Sequence, residues 1–412
     1  AGVFPVERAQ EPFDAIRERK LPGVAALISY GPAPDLSRTR QVKPRPKRSG
    51  KVGISLIGFG NHVLSKHLPN LKSMRDVELR GIASATARNA SVVAKGLGAT
   101  MITTDVGELL ADEGTDAVMI CSSQPEHYEH ICAAVKAGKA VFIEKPMVTR
   151  LDDFAKLLQL MAGRLSQADH PPIVTLGLNR RYSPLVDTLR KNLTSPADFV
   201  EYVIAQPFVP PDHWTLDPVD GGGRLITEGE HFIDLCNLLI GKRPVSLTAR
   251  ALGKVPDDIR TLCNFSVTLH YDGAAATIVF DECGAPGFPR ERLSVFAHGQ
   301  VAILDDFAKL TEFGKGKKTQ GTGLHKSMGH AEELGQFVRA VQGQSNHLLS
   351  WEDASLATTC MFAAQESIRL GAEIDLDQFR RSLLAPADEA GPGANGVSED
   401  EVREGEHMAG QR

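Results

Sequence analysis

The feature of this chain best suited to do chemistry is Glu144-Lys145-Pro146, which follows the apolar run Ala140-Val-Phe-Ile143. A lysine at the C-terminal end of a buried strand can reach a bound ligand or a substrate hydroxyl, and its charge favours a developing alkoxide. The same residues also fit a partly exposed ion pair at a domain edge. His231 is a second candidate, because an imidazole titrates near neutral pH and can take up a hydroxyl proton. Its neighbours Phe232, Ile233, Leu235 and Leu238, taken by themselves, favour a satisfied core histidine over that role. Glu228 lies three residues before His231 and can share its helix face, so Glu228 is expected to orient or electrostatically support it. Glu-x-x-His is half of a di-iron carboxylate motif, but no second copy is evident, and no metal is expected. Asn179-Arg180-Arg181-Tyr182 offers one arginine to an anionic or polyhydroxyl substrate and another to brace a junction. In Pro210-Pro-Asp-His-Trp214, His213 and Trp214 could cap a sugar ring, or simply pack on the surface.

These groups need elements to position them. The apolar run Val52–Ile57 stops at Gly58 and Gly60, and an amphipathic stretch follows with Val63, Leu64 and Leu68 at helical spacing. Strand, tight turn and helix start come in the order of a dinucleotide-binding unit. Gly58 permits a positive φ. Gly60 lets the backbone approach a pyrophosphate seated on helix N-terminal amides. The third glycine position is Val63, so the fingerprint is incomplete.

The 412 residues suffice for two domains, and 42% hydrophobic residues supply large cores. A net charge of −5 argues against nucleic acid as partner. No apolar run reaches bilayer length and no secretory signal is visible, so no membrane association is expected. The six cysteines are scattered without a CxxC pair, which fits reduced thiols of a cytoplasmic protein and no structural zinc.

Along the chain, residues 1–30 carry a helix-like segment (Ala9, Phe13, Ile16) and a strand-like one (Gly23–Ile28). Residues 31–50 form a basic, proline-rich linker too stiff and polar to pack. From Lys51 strands alternate with helices: strands at Val77–Ala83, Ala117–Cys121, Ala140–Ile143 and Ile173–Leu178, helices at Arg88–Leu97, Glu126–Ala137 and Leu151–Met161. That alternation predicts an α/β fold, a doubly wound parallel sheet over residues 51–178, with ligands beyond the C-terminal strand ends. Gly58, Ser84, Ser122, Glu144 and Asn179 all lie at such ends. Residues 179–384 change to long alternating runs (Phe199–Gln206, Thr261–Tyr271, Ala274–Asp281, Arg292–Ala297) with helices at Glu228–Leu239, Ala331–Val341 and Trp351–Leu370. This reads as an α+β domain with a large, mostly antiparallel open sheet. Residues 385–412 hold seven acids and almost no large apolar residue, the composition of a disordered tail.

Taken together, residues 51–376 resemble the Gfo/Idh/MocA oxidoreductases, the glucose-fructose oxidoreductase and inositol dehydrogenase family. The resemblance rests on an ordered set of motifs: Gly58-Phe-Gly-Asn61; Asp105 and Glu108-Leu-Leu110; Asp116–Ile120; Gln124-Pro-Glu-His127; Ala137–Val141; Glu144-Lys-Pro146; Asn179–Tyr182; Gly221-Gly-Gly223 with Glu228 and His231–Asp234; and Gly329–Leu334. It implies a Rossmann domain followed by a domain whose open sheet floors the substrate site. It further implies that Lys145 positions substrate and cofactor and that His231 takes the hydroxyl proton. The implied cofactor set is Gly58, Phe59, Gly60, Asn61, His62, Ser84, Thr86, Arg88, Ser122, Gln124, His127, Glu144 and Lys145. The implied substrate set is Arg180, Arg181, Tyr182, Trp214, Thr227 and His231. Residues 1–30 are similar, more loosely, to the closing helix and strand of zinc-type medium-chain alcohol dehydrogenases, which implies a fused upstream domain; a docked N-terminal extension accounts for them equally.

Two departures matter. Family members usually have an aspartate four residues before the histidine, where this chain has Thr227 with Glu228 beside it. After the second strand, Ser84-Ala-Thr-Ala-Arg88 replaces the acid that binds an NAD ribose. Ser84, Thr86 and Arg88 suit a 2′-phosphate, so NADP is expected to be accepted alongside or ahead of NAD. The expected reaction is hydride transfer between NAD(P) and a secondary hydroxyl or keto group of a sugar, sugar nucleotide or cyclic polyol, by a homo-oligomer (dimer or tetramer). Two alternatives are an NAD-dependent glycosidase of the same fold and a non-catalytic nucleotide-binding regulator.

Overall fold

A computed structural model of the chain describes residues 2–5, 8, 10–18, 20, 25–29, 39–41, 50–84, 98–167, 171–210, 212–322 and 327–385. The chain opens with β1 (Gly2–Pro5), α1 (Gln10–Arg17) and β2 (Ala26–Ser29), the two strands pairing in parallel. Next comes β3 (Thr39–Gln41), inside the stretch expected to be an unpacked linker. Its pairing is long-range: Thr39 lies opposite Thr103 of a later strand, and their hydroxyls are hydrogen-bonded at 2.9 Å. The rest of that linker up to residue 49, the helix expected at Arg88–Leu97 and nearly all of the acidic tail lie outside the described residues.

The first large sheet grows from β4 (Val52–Ile57), buried along its whole length, as a central parallel strand must be. A single turn closed by an i→i+5 bond, Leu68 N–H to Val63 O, spans Val63–His67 and leads into α2 (Leu68–Ser73). There follow β5 (Val77–Ala83), β6 (Met101–Thr103), α3 (Val106–Leu110), β7 (Ala117–Ile120), α4 (His127–Lys136), β8 (Ala140–Ile143), α5 (Leu151–Gln167) and β9 (Val174–Leu176). The spatial order is β3-β6-β5-β4-β7-β8-β9, parallel except for β3. The order reverses between β4 and β7. The C-terminal end of that pair is the switch point where such sheets bind ligands.

The second unit contains α6 (Pro184–Asn192), β10 (Phe199–Ala205), α7 (Gly223–Ile240), β11 (Ser246–Ala251), β12 (Phe265–Tyr271), β13 (Ala274–Asp281), β14 (Glu291–Ala297), β15 (Gln300–Asp305), β16 (Lys309–Phe313) and β17 (Lys317–Gly321). After it come α8 (His330–Val341), α9 (Trp351–Leu370), β18 (Ile374–Asp375) and α10 (Leu376–Leu384). Nine strands form one sheet in the order β17-β16-β15-β14-β10-β13-β12-β11-β18. All its pairs are antiparallel except β10–β13, in line with the sequence reading. On β12, β13 and β10 buried residues alternate with part-exposed ones, so one face is covered and the other open. α7 and α9 pack on each other, α7 against β13 and β10 and α9 against β11. α7 starts five residues before the expected Glu228, because Gly222, at φ +79°, caps it.

α8 does not stay with the second sheet. Its Leu334, Phe337 and Val338 join Ile54, Leu56, Ile82 and Phe142 in the core of the first, and Phe337 meets the Phe142 ring edge-on at 5.6 Å. The first sheet is therefore covered in part by a helix that arrives after the second one has been built.

Candidate active site

Gly58 sits at φ +87°, and a Cβ there would lie 2.3 Å from the Ser122 backbone nitrogen. Only glycine lets β4 end against the end of β7 in this way. A Cβ on Gly60 would meet nothing within 4 Å, so the space over the turn is open. That open cradle, at the switch point and at a helix start, fits a dinucleotide pyrophosphate.

On the far side of β7, β8 ends at Glu144 and Lys145. The Lys145 Nζ crosses to the second unit and donates to the Thr227 carbonyl (2.7 Å) and to Glu228 Oε1 (3.1 Å) on α7. His231 is one helical turn beyond Thr227, about 6 Å along the axis. The Lys145 ammonium thus lands on the helix, α7, that also carries His231. Burial, then the Arg180 and Lys145 charges, hold the His231 pKa well below its ordinary value, so the ring is neutral near neutral pH. Its Nδ1 is sealed from solvent without a partner, which leaves Nε2 as the nitrogen able to accept a proton.

Glu228 was expected to support His231, but its carboxylate goes to Lys145. Burial alone would raise its pKa; Lys145 and Arg180 more than offset this and hold it below the usual value. Glu230 has another role. Its carboxylate accepts the Met147 N–H at 3.3 Å and the Thr358 hydroxyl at 2.6 Å, and so ties the loop after Lys145 to α7 and α9. Burial pushes its pKa up to about 7. Raised in the fold, this group binds a proton there that the unfolded chain has already lost. Its stabilising contribution is full below the ordinary carboxylate range and is lost as pH rises to about 7. Glu230→Gln is therefore expected to gain melting temperature relative to the unmodified chain between about pH 5 and about pH 8. Parallel thermal melts across that range check it; a constant difference would refute it.

Several expected ligand contacts take other roles in the structure. Arg180 is buried and donates twice, at 2.8 Å each, to Glu291. Its guanidinium also lies 5.2 Å from the centre of the Phe232 ring, so it ties the turn after β9 to β14 and α7. Arg181 pairs with Asp234 at 3.4 Å. The Tyr182 hydroxyl accepts the Leu349 N–H at 2.7 Å. The Thr227 side chain bonds back to the Gly223 carbonyl, so only its own carbonyl serves Lys145. His127, expected at the cofactor, is buried with its ring nitrogens on the carbonyls of Pro146 (2.8 Å) and Ser122 (3.2 Å). A neutral ring can donate only one of these bonds, and the shorter one marks Nδ1 as donor. The Ser122 hydroxyl bonds His130 at 2.9 Å. Gln124 sets its amide 3.3 Å from the carbonyls of Asp220 and Gly221, at the junction of the two units. Trp214 remains 53% exposed beside the His213 ring. Thr86 and Arg88 lie outside the described residues.

Glu144, also expected at the cofactor, is taken up by histidines. It is hydrogen-bonded to His67 and lies 3.5 Å from His62 Nε2. Burial would raise its pKa, but the two imidazoles more than compensate and keep it well below the usual range. His67 and His330, whose ring is 6.1 Å from that of His62, carried no weight in the sequence reading. The five-residue spacing of His62 and His67 was the available signal. A cavity of about 350 Å³ beside Lys51, Leu68, Lys72 and Glu78 opens at the opposite, N-terminal ends of the strands and faces none of these groups.

Comparisons with known proteins agree with this arrangement. Residues 52–167 match the model of the oxidoreductase family with an NAD-binding Rossmann fold, and residues 198–300 match the GFO/IDH/MocA C-terminal domain. Myo-inositol 2-dehydrogenase of Thermotoga maritima is 24% identical over 345 residues, covering 80% of this chain and 99% of that protein. UDP-N-acetylglucosamine 3-dehydrogenase of Acidithiobacillus ferrooxidans has a similar fold (TM-score 0.65, 20% identity, 78% of this chain and 98% of that one). So does an Agrobacterium radiobacter oxidoreductase solved with NAD+, L-tartaric acid and magnesium (TM-score 0.67, 18% identity, 80% and 99% covered). With both halves matched in order, the chain belongs to the Gfo/Idh/MocA family of NAD-binding oxidoreductases.

Proposed function

We propose that this chain oxidises or reduces a secondary hydroxyl or keto carbon of a sugar, sugar nucleotide or cyclic polyol, with Lys145 and His231 as its catalytic residues. The observation that carries the reading is the position of the Lys145 ammonium, which leaves the first sheet and lands on α7 one turn before His231. The relatives support the substrate class: one is named for an inositol and another for a nucleotide-linked amino sugar.

Gly58, Phe59, Gly60, Asn61 and His62 form the turn that would hold the dinucleotide. When bound, NAD(P) supplies the nicotinamide that accepts or returns hydride. The residues of the chain do the rest. Lys145 uses two of its three N–H groups on Thr227 and Glu228 and directs the third, with its charge, at the reacting oxygen. That charge favours the alkoxide more than the alcohol, so it acts on the transition state. His231 Nε2 takes the hydroxyl proton and returns it in the reverse direction.

The test is turnover with a panel of polyols, free sugars and nucleotide sugars, each with NAD+ and NADP+, read as reduced nicotinamide. Formation of reduced cofactor with at least one member is expected, and its loss in His231→Ala. Turnover undiminished in His231→Ala would refute the assignment. Ser84 stands where an NAD-selective fold carries an acid, and with Thr86 and Arg88 it accounts for acceptance of NADP. Calorimetry is expected to find NADP+ binding that weakens in Arg88→Ala; tighter NAD+ binding indifferent to that change would refute this part.

A further inference from the structure

Of the cluster around Glu144, the proposed reaction uses only His62, through its place in the turn that would hold the dinucleotide. The cluster is built by an unusual local geometry. On an α-helix, residues five apart point about 140° away from each other. Here the turn over Val63–His67 is closed by an i→i+5 bond, which brings such residues back to one side. His62 and His67 consequently face each other, with ring centres 5.2 Å apart. The end of β8 delivers the Glu144 carboxylate between them. One nitrogen from each ring and one carboxylate oxygen all lie within 4.8 Å of one another.

We infer that His62, His67 and Glu144 form a binding site for one divalent ion of the zinc class. Two imidazoles and one carboxylate are borderline donors that suit zinc better than magnesium or calcium. Three protein ligands leave a coordination position for water, as in open zinc sites. Donor atoms around a tetrahedral zinc stand roughly 3.3 Å apart for bonds of about 2.0–2.1 Å; His62 Nε2 and Glu144 Oε1 are already 3.5 Å apart. His67 Nε2 and the same oxygen are hydrogen-bonded. The ion takes the place of that hydrogen bond, and the neutral imidazole then carries its one proton on Nδ1. The Glu144 charge offsets part of the ion's. Entry is through His62, whose side chain is 49% exposed. The site lies beside the open turn at Gly60, on the wall of the cofactor groove, yet its existence does not depend on the redox reading.

The experiment uses the whole chain, stripped with chelator and titrated with zinc chloride alone by calorimetry. One ion per chain is expected. His62→Ala and Glu144→Gln should each weaken binding by more than the roughly 10–100-fold typical of losing an outer-shell partner. His347→Ala, on an exposed loop, should bind as the unmodified chain does. Cobalt substitution should give the visible absorption of a tetrahedral centre, absent in His62→Ala. Where Glu144→Gln fails to fold, His62→Ala decides alone, because His62 is partly exposed and its loss leaves the core intact. Zinc binding that is absent, or equal in the unmodified chain and His62→Ala, overturns the inference.

Discussion

Lys145→Ala is expected to lower kcat by about 10²–10³-fold, the size of effect seen when one preorganised electrostatic contact to a developing oxyanion is lost. The variant also leaves Glu228, a buried carboxylate held below its ordinary pKa by Lys145, without its nearest cation. Some stability should therefore fall with the activity. The two losses can be separated. In Lys145→Met with Glu228→Gln the abandoned charge is gone, and the melting temperature should recover while kcat stays low. Recovery of both would make Lys145 a structural residue only, and the assignment would fail. Lys145→Arg is not a conservative control, because a planar fork cannot occupy the three-donor position that joins Thr227 and Glu228.

Arg180→Ala is expected to cost about 3–5 kcal/mol of stability, the usual effect of removing one partner of a buried ion pair. Glu291 would be left buried, with the Tyr202 hydroxyl as its remaining partner among the hydrogen bonds described. Denaturant unfolding measures the loss. The paired change Arg180→Met with Glu291→Leu should restore most of it, since no charge is then stranded. A substrate-binding arginine would behave otherwise: Arg180→Ala would raise KM with little change in unfolding midpoint. That outcome would reverse the structural assignment made here.

The contrast between these two residues explains what was legible in the sequence. Lys145 and Gly58 were readable because their settings are local: an apolar run that stops, then a residue that does not belong in a core. The parallel sheet was readable for the same reason, since strands buried on both faces leave uninterrupted apolar runs. Which of Arg180 and Arg181 braces the structure was not legible, because the acceptor of Arg180 lies 111 residues further along the chain and no local pattern marks Glu291. The same holds for Tyr182, whose hydroxyl is used by Leu349. Thr227 looked like a damaged position, yet what the site uses there is a backbone carbonyl, which any residue would supply. β3 was missed because three polar residues in a basic stretch gain their order only from pairing with β6. His67 was missed because a spacing of five belongs to neither helical nor strand periodicity.

The return of α8 to the first sheet has a consequence for how the molecule comes into being. Synthesis runs from the N terminus, and domains generally fold in that order as they emerge. Here the strands carrying Ile54 and Phe142 leave the ribosome long before Phe337, which shares their core. An apolar patch of the early half must wait for the late half, so the two halves mature as one cooperative product and not as beads on a string.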